Sequence, residues 1–289
     1  VLRDGAAAQY GSDAIAGVVN LRLKDARSGG GVSATYGLYV TEIETERGER
    51  NRTGEPTLTV SAWQGIGLGE TGYLTLSGEY VDRKPTSRGD YDPRVTPSRV
   101  TSRFGDPEVE QATVFANAGV DLSDSLQLYG WVGYQDRDSK SAAFPRLAAA
   151  AASEGVGSIY PDGFLPLIHT KSRNLTSAVG VRGNAGEWDV DLSLAYGRNK
   201  IKFRTLDSIN YSIGVTSPTE FDDGAVVYDQ WIAGLDVSRR FDVFESLNLA
   251  FGAEWRRESY QIEAGELASY SGSGAQGFPG FAPSNEVDV

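Results

Sequence analysis

Hydrophobic and polar residues alternate along most of the chain after residue 29, in segments of about ten residues. Successive side chains of a β-strand point to opposite faces, so this period predicts strands with one apolar and one polar face. The clearest segments cover residues 74–80, 112–122, 126–134, 188–196 and 247–255. Weaker versions cover residues 32–41, 58–65, 175–182 and 230–238, and together they predict about nine strands.

The connections between these segments alternate in length. Short turns are expected near residues 67–72, 123–125, 184–187 and 242–246. Long polar loops are expected over residues 42–56, 84–108, 138–174 and 202–227, and most exceed the roughly 12 to 15 residues that a compact domain usually tolerates. Short connections at one end and long ones at the other are typical of an outer-membrane β-barrel.

Aromatic residues occupy matching ends of the predicted apolar face. Tyr80, Tyr134, Tyr196 and Trp255 end four strands on the long-loop side, and Trp188 begins one on the other side. At about 3.3 Å per residue and a tilt near 40°, the stretch from Trp188 to Tyr196 spans roughly 20 Å of height, close to the apolar band of an outer membrane. The opposite face carries carboxylates, which suit a wet lumen: Glu79, Asp121, Asp189, Asp191, Asp236 and Glu254.

A soluble β-sandwich shows the same alternation, with its apolar face buried between two sheets, and it stays open as an alternative.

The amino-acid composition excludes several other classes of protein and of chemistry. The chain has 27 Lys and Arg against 39 Asp and Glu, a net charge of −12, which argues against nucleic-acid binding. It has no cysteine, so disulfides and thiol chemistry are excluded, and no apolar run approaches the roughly 20 residues of a membrane-spanning helix. It begins with Val1 and has no methionine, so we expect a mature or partial chain.

The first 24 residues depart from the alternation and carry a distinct string. Locally, Ser12 is placed to cap a one-turn helix that Gly17 ends, and residues 18–23 then read as a strand. The string combines an Arg-x-Gly, a Tyr-Gly, a Ser-x-Ala-Ile-x-Gly and a Val-x-Asn strand, and its defining residues are Arg3, Gly5, Tyr10, Gly11, Ser12, Ala14, Gly17 and Asn20.

This string closely resembles the end of the plug domain of TonB-dependent outer-membrane receptors. One departure is Ala6, where many members of that family carry proline. Further matches to a subgroup of the family lie at residues 160–166, 217–221, 228–230 and 248–258, so the resemblance covers nearly the whole chain. It implies that residues 1–28 are the C-terminal end of a plug and residues 29–289 the first part of a barrel.

The resemblance implies an all-β fold, a partial transmembrane antiparallel β-barrel. The family barrel has about 22 strands, so about nine form an incomplete one. The implied function is energy-coupled uptake of a scarce ligand, such as a siderophore, cobalamin or carbohydrate, across the outer membrane of a Gram-negative cell. The implied partners are outer-membrane lipid and the TonB complex, reached through an N-terminal TonB box that this chain lacks. A passive porin and a soluble β-sandwich binding module are the alternatives.

Candidate ligand contacts lie in the long loops, because binding residues concentrate on loops held by a rigid scaffold. The candidates are Tyr91, Arg94, Tyr160, Asp162, Phe164 and His169. The alternative is that they pack the loops against one another and against the plug. A short alanine-rich helix within residues 145–154 would help to order one of these loops.

No motif predicts catalysis, a metal site or a cofactor. The single histidine, His169, has no partner at a spacing typical of a catalytic site. Residues 90–92 and 222–224 resemble fragments of a calcium loop but lack its other ligands, so solvated turns are expected there. The glycines at 65, 67 and 69 precede no helix and predict a turn rather than a phosphate site. We therefore expect the protein not to be an enzyme.

Overall fold

A computed structural model describes residues 22–243 and 247–287 of the chain. Strands hold 63% of the residues and helices 6%, which confirms the all-β prediction. Nine strands form one antiparallel sheet in chain order: β1 (Gly30–Thr45), β2 (Gly48–Leu68), β3 (Gly72–Arg83), β4 (Glu108–Ser123), β5 (Leu126–Ala142), β8 (Leu167–Ala185), β9 (Trp188–Leu206), β10 (Phe221–Phe241) and β11 (Leu247–Ala264). The predicted number of long strands is therefore confirmed.

The remaining elements are small. Strands β6 (Arg146–Leu147) and β7 (Gly163–Phe164) form a separate two-stranded ladder. Helix α1 (Ala148–Ser153) is the predicted alanine-rich helix, and α2 (Leu267–Tyr270) is a single turn. Short 3₁₀ turns cover Gly214–Thr216 and Pro283–Asn285. No helix in the described part of the chain is long and apolar enough to span a membrane.

The strand register places the predicted apolar residues on one common face. Residues directly opposite each other in an antiparallel pair share a face. One such row crosses seven strands through Leu74, Ala118, Gly130, Val179, Leu194, Ala233 and Trp255. A row on the other face runs through Asp121, Gln127, Arg182, Asp191, Asp236 and Gly252. The sheet therefore has an apolar face and a polar face.

The apolar face is uncovered. Leu192 and Val114 are each 58% exposed and Trp255 is 56% exposed. A sandwich requires a second sheet over this face, and none occurs in residues 22–243 and 247–287. The structure therefore does not support the sandwich alternative.

Aromatic residues limit the exposed apolar face at both ends. Tyr134, Tyr196 and Trp255 lie at its long-loop end as predicted, and the register adds Trp231, which pairs with Tyr196. We call the apolar-face side chains between Trp188 and these four aromatics the apolar band. Beyond it the same face becomes charged, beginning on β9 with Arg198, Lys200 and Lys202.

The long-loop boundaries predicted from the pattern need correction. The predicted loop over residues 42–56 is wrong, because β1 and β2 continue through it and meet in a tight turn between Thr45 and Gly48. The loops predicted over 138–174 and 202–227 are likewise shorter, since β5, β8, β9 and β10 extend into them. The alternation of apolar and polar residues ends where both faces of a strand are exposed to solvent. Backbone hydrogen bonding between the strands does not depend on that alternation, so the strands continue.

The chain enters β1 along the polar face. Asn117 Nδ2 donates to the Lys24 carbonyl at 2.9 Å, and Thr75 Oγ1 donates to the Ala26 carbonyl at 3.2 Å. Lys24 Nζ lies 3.5 Å from the centroid of a Trp63 ring. Gly65 permits this approach, because a Cβ there would lie 2.7 Å from the Ala26 oxygen. Residues 22–28 therefore cover part of the polar face.

The proposed plug motif falls on residues that precede this segment. Arg3, Gly5, Tyr10, Gly11, Ser12, Ala14, Gly17 and Asn20 all lie outside the described residues. Strand β1 starts at Gly30, next to the expected domain boundary at residue 28. The division into a plug end and a barrel part stays a prediction.

Candidate functional site

The long connections fold together at one end of the sheet. A small hydrophobic core contains Ala151, Val156, Phe164 and Ile209, all buried, with Tyr160 packed against it. These residues come from the connections 143–166 and 207–220. Residues 265–287 join them, because Asn210 Nδ2 donates to the carbonyls of Ala268 and Ser271, each at 2.8 Å. We call these three segments the loop cap.

Two of the six candidate ligand contacts pack at the hydrophobic core of the loop cap, and a third, Asp162, lies in the same connection 143–166. The rings of Tyr160 and Phe164 stack with centroids 4.4 Å apart, and the Tyr160 hydroxyl donates to the Ser208 carbonyl at 3.1 Å. Phe164 is buried. These contacts correspond to the packing interpretation of the two residues.

The other four candidates lie outside this hydrophobic core. In connection 84–107, Tyr91 lies against Gly48, and Arg94 forms two hydrogen bonds of 2.8 Å to the Asp92 carboxylate. With help from Thr101, this contact holds the pKa of Asp92 well below its usual range. The Asp162 carbonyl accepts a hydrogen bond from Arg99 Nη2 at 2.8 Å.

The sixth candidate, His169, lies on the other side of the sheet from the polar face. It is buried, pairs in register with Lys140 and Arg204, and its Nε2 lies 2.7 Å from Asp138 Oδ1. The six candidates therefore do not converge on one cleft. No group of three or more carboxylate or histidine side chains suited to a metal ion occurs within residues 22–243 and 247–287.

Part of the loop cap lies across the long-loop end of the polar face. Phe203, a polar-face residue of β9, stacks on Phe278 with centroids 4.8 Å apart and packs edge-on against Phe281 at 5.9 Å. The Phe281 amide donates to the Asp223 carbonyl at 2.9 Å. Residues 265–287 therefore fold inward over this face.

A fully buried carboxyl lies beneath this segment. Asp223 is on the long-loop side of Trp231, beyond the apolar band. Burial raises the pKa of Asp223 to about 7; a hydrogen bond to Thr205 and the charge of Arg204 oppose the rise, and Asp222 and Glu266 add to it. The Thr205 hydroxyl lies 2.6 Å from Asp223 Oδ2 and 3.0 Å from the Phe278 carbonyl. A hydroxyl has one proton, so both hydrogen bonds form together only when Asp223 is protonated.

We expect docking of residues 265–287 to weaken as pH rises from about 4 to about 7 and then to level off. An exposed aspartate has a pKa of about 3.9, so in this window the undocked state binds fewer protons than the docked state. Hydrogen exchange of the peptide containing Phe281, corrected for the intrinsic rate, measures the effect. Asp223→Asn keeps a donor for Thr205 and should make protection independent of pH. An unchanged pH dependence in Asp223→Asn would assign the effect to another group.

A ladder of uncharged side chains crosses the polar face between the loop cap and the sheet centre. The register aligns Thr113, Gln135, Asn174, Asn199 and Tyr228, which we call the amide band. Asn174 Nδ2 donates to Gln135 Oε1 at 3.0 Å, and Asn199 Nδ2 donates to Asn174 Oδ1. Gln135 Nε2 donates to Thr113 Oγ1 at 3.4 Å. Sequence reasoning missed this band, because only the register brings residues so far apart in the chain into one row.

Among solved structures, the chain is similar to the crystal structure of the siderophore receptor PiuA from Acinetobacter baumannii, with a TM-score of 0.42 and 13% sequence identity. The match covers 89% of this chain and 50% of that receptor, so the chain spans about half the length of its structural neighbour. No protein-family model and no curated protein matches the sequence.

Proposed function

We propose that the chain is the plug end and first barrel part of a TonB-dependent receptor, which takes up a scarce ligand across the outer membrane with energy from the inner membrane. The observation that carries the proposal is the uncovered apolar face of the nine-stranded sheet, opposite a polar face that the chain itself covers in part. Soluble monomers rarely expose an apolar patch larger than about 300–600 Å². Lipid is the environment that suits a face of this extent.

The limits of the apolar band support a membrane location. The ring centroids of Tyr196 and Trp231 lie 4.5 Å apart at the long-loop end of the band. Trp188 lies at the other end, where it packs edge-on against Phe241 and Phe251. Amphipathic rings prefer the interface between hydrocarbon and water. The change to charged residues at Arg198 fits the headgroup region just beyond that interface.

Residues 22–28 favour a receptor over a passive porin. In a barrel of this kind the polar face lines the lumen, and about 22 strands enclose a space too wide for side chains to fill. The hydrogen bonds of Asn117 and Thr75 hold the incoming chain on that face. A folded domain before residue 22 would then lie at the lumen. Solute passes an occluded lumen only when work rearranges the occluding domain.

The family resemblance extends the proposal to partners and ligand class. Energy would come from the TonB complex through a TonB box outside this chain. The ligand would be a siderophore, a cobalamin, a carbohydrate or a similar scarce solute. No residue is assigned a catalytic role, and we propose a transport function rather than an enzymatic one.

We expect uptake by the full-length protein to stop when the proton gradient is collapsed or TonB is deleted, while surface binding of the ligand persists. Uptake and binding are measured in whole cells with labelled candidate ligands, with and without a protonophore. A strain lacking the receptor is the control. Uptake that continues under the protonophore and rises linearly with external solute would support the porin and contradict the proposal.

A further inference from the structure

We propose that the amide band is a binding surface for neutral, hydroxyl-rich ligands, with oligosaccharides as the class. The inference rests on the proposed function, because it assumes that the polar face lines the uptake path. It assigns a ligand class to residues on five neighbouring strands, β4, β5, β8, β9 and β10. None of these residues is among the six loop candidates.

The band retains hydrogen-bonding capacity after its internal contacts are made. A primary amide has two N–H donors and an oxygen with two lone pairs. Within the described part of the chain, Gln135 and Asn174 each donate once along the ladder and accept once from the next amide. Each therefore keeps one N–H and one lone pair for a ligand. Paired donors and acceptors at regular spacing match hydroxyl groups, which also donate and accept.

The absence of charge from the band separates neutral from ionic ligands. Its five members, Thr113, Gln135, Asn174, Asn199 and Tyr228, are all uncharged. From these five side chains an anionic ligand such as a ferric chelate or a uronic acid chain gains no cationic partner for the hydration it loses. The charged neighbours lie at the margins of the band: Arg22, Lys24 and Glu79 beside Thr113, and Arg137 in the next row toward the loop cap. A neutral polyol exchanges hydrogen bonds with water for hydrogen bonds with amides at little electrostatic cost.

Aromatic faces and open space adjoin the band on its short-turn side. The next row of the polar face contains Phe115, Gly133, Thr176 and Gly197. Phe115 stacks on Trp131 with ring centroids 5.8 Å apart. A Cβ at Gly197 would meet nothing within 4 Å, so the surface beneath Asn199 is open. Sugars combine C–H faces that pack on aromatic rings with hydroxyls that bond to amides, and the two rows offer both.

The test is calorimetric binding to the full-length protein in detergent. The neutral probes are α-1,4-glucan, β-1,4-glucan and β-1,4-xylan oligosaccharides, and the charged probes are an oligogalacturonide and a ferric trihydroxamate. We expect at least one neutral probe to bind. Asn174→Ala should weaken the affinity for that probe by about tenfold, because losing one hydrogen bond worth about 1.4 kcal/mol raises the Kd by that factor. Asn184→Ala is the matched control, because Asn184 is an exposed amide on the same face of β8, bonded to Asp189. It should leave affinity within about twofold, as expected of a surface substitution.

Three results would overturn the inference: binding of the charged probes alone, neutral binding that Asn174→Ala leaves unchanged, or no binding of any probe. Energy-dependent uptake of the ferric chelate would then keep the proposed function while removing the ligand class assigned here. Gradient-independent passage of neutral sugars would instead contradict the proposed function. The two failures are therefore distinguishable.

Discussion

Leu192→Arg is expected to lower the free energy of unfolding of the complete barrel in lipid by about 2–4 kcal/mol, the cost of arginine on a lipid-facing side near the midplane. Leu192 lies on the apolar face and is 58% exposed in the sheet. It stands in a row with Val181 on β8 and Leu235 on β10. If this face met water, a substitution at so exposed a position would change stability by only about 0.5 kcal/mol.

The adjacent position provides the control. Ser193 lies next in β9 and points to the polar face, in register with Gly180 and Gly234. Ser193→Arg should therefore cost much less than Leu192→Arg. Urea titration of the full-length protein in lipid vesicles, followed by tryptophan fluorescence, measures both. Equal costs for the two variants would contradict the assignment of faces.

A second large effect is expected for the 289-residue segment in isolation: it should neither insert as a stable barrel nor remain monomeric. In the described residues, β1 pairs only with β2 and β11 pairs only with β10 along the sheet. The outer edges of both strands leave backbone N–H and C=O groups without strand partners. Lipid cannot satisfy them, at several kcal/mol for each group, and such edges promote association.

Refolding of the isolated segment into detergent tests this expectation. Electrophoresis with and without heating reports a closed barrel by its changed mobility, and limited proteolysis reports compactness. The full-length protein is the positive control. A heat-modifiable, protease-resistant monomer of the 289-residue segment would show that nine strands close without further pairing and would contradict the expectation.

The alternation of residues predicted the faces of the sheet well, because side-chain period depends only on local backbone geometry. Residues 74–80, 112–122 and 188–196 keep the predicted faces in the observed register. Strand ends were predicted less well. The sequence predicts a hydrated hairpin tip at the charged stretch 42–52, and a hairpin is observed there. Its strands extend much further into the predicted loop 42–56 than expected, because polar side chains on both faces still permit backbone pairing.

The arrangement of the candidate site was harder to predict from the sequence than the faces of the sheet. Tyr160 and Phe164 have the composition of ligand contacts, but their partners Ile209 and Tyr211 come from another connection, and only the fold shows that the four pack together. The amide band could not be predicted for the same reason, because Gln135, Asn174 and Asn199 become neighbours only through the strand register. A strand pattern gives each residue a face but not its cross-strand partners.

Lipid accessibility of single side chains tests the central claim, that the apolar face meets lipid and the polar face does not. The chain has no cysteine, so Leu192→Cys, Val132→Cys and Ser193→Cys each allow one spin label in the full-length protein reconstituted in vesicles. A lipid-soluble quencher should reach the labels at positions 192 and 132 and not the label at 193. Equal quenching at all three positions would contradict the account.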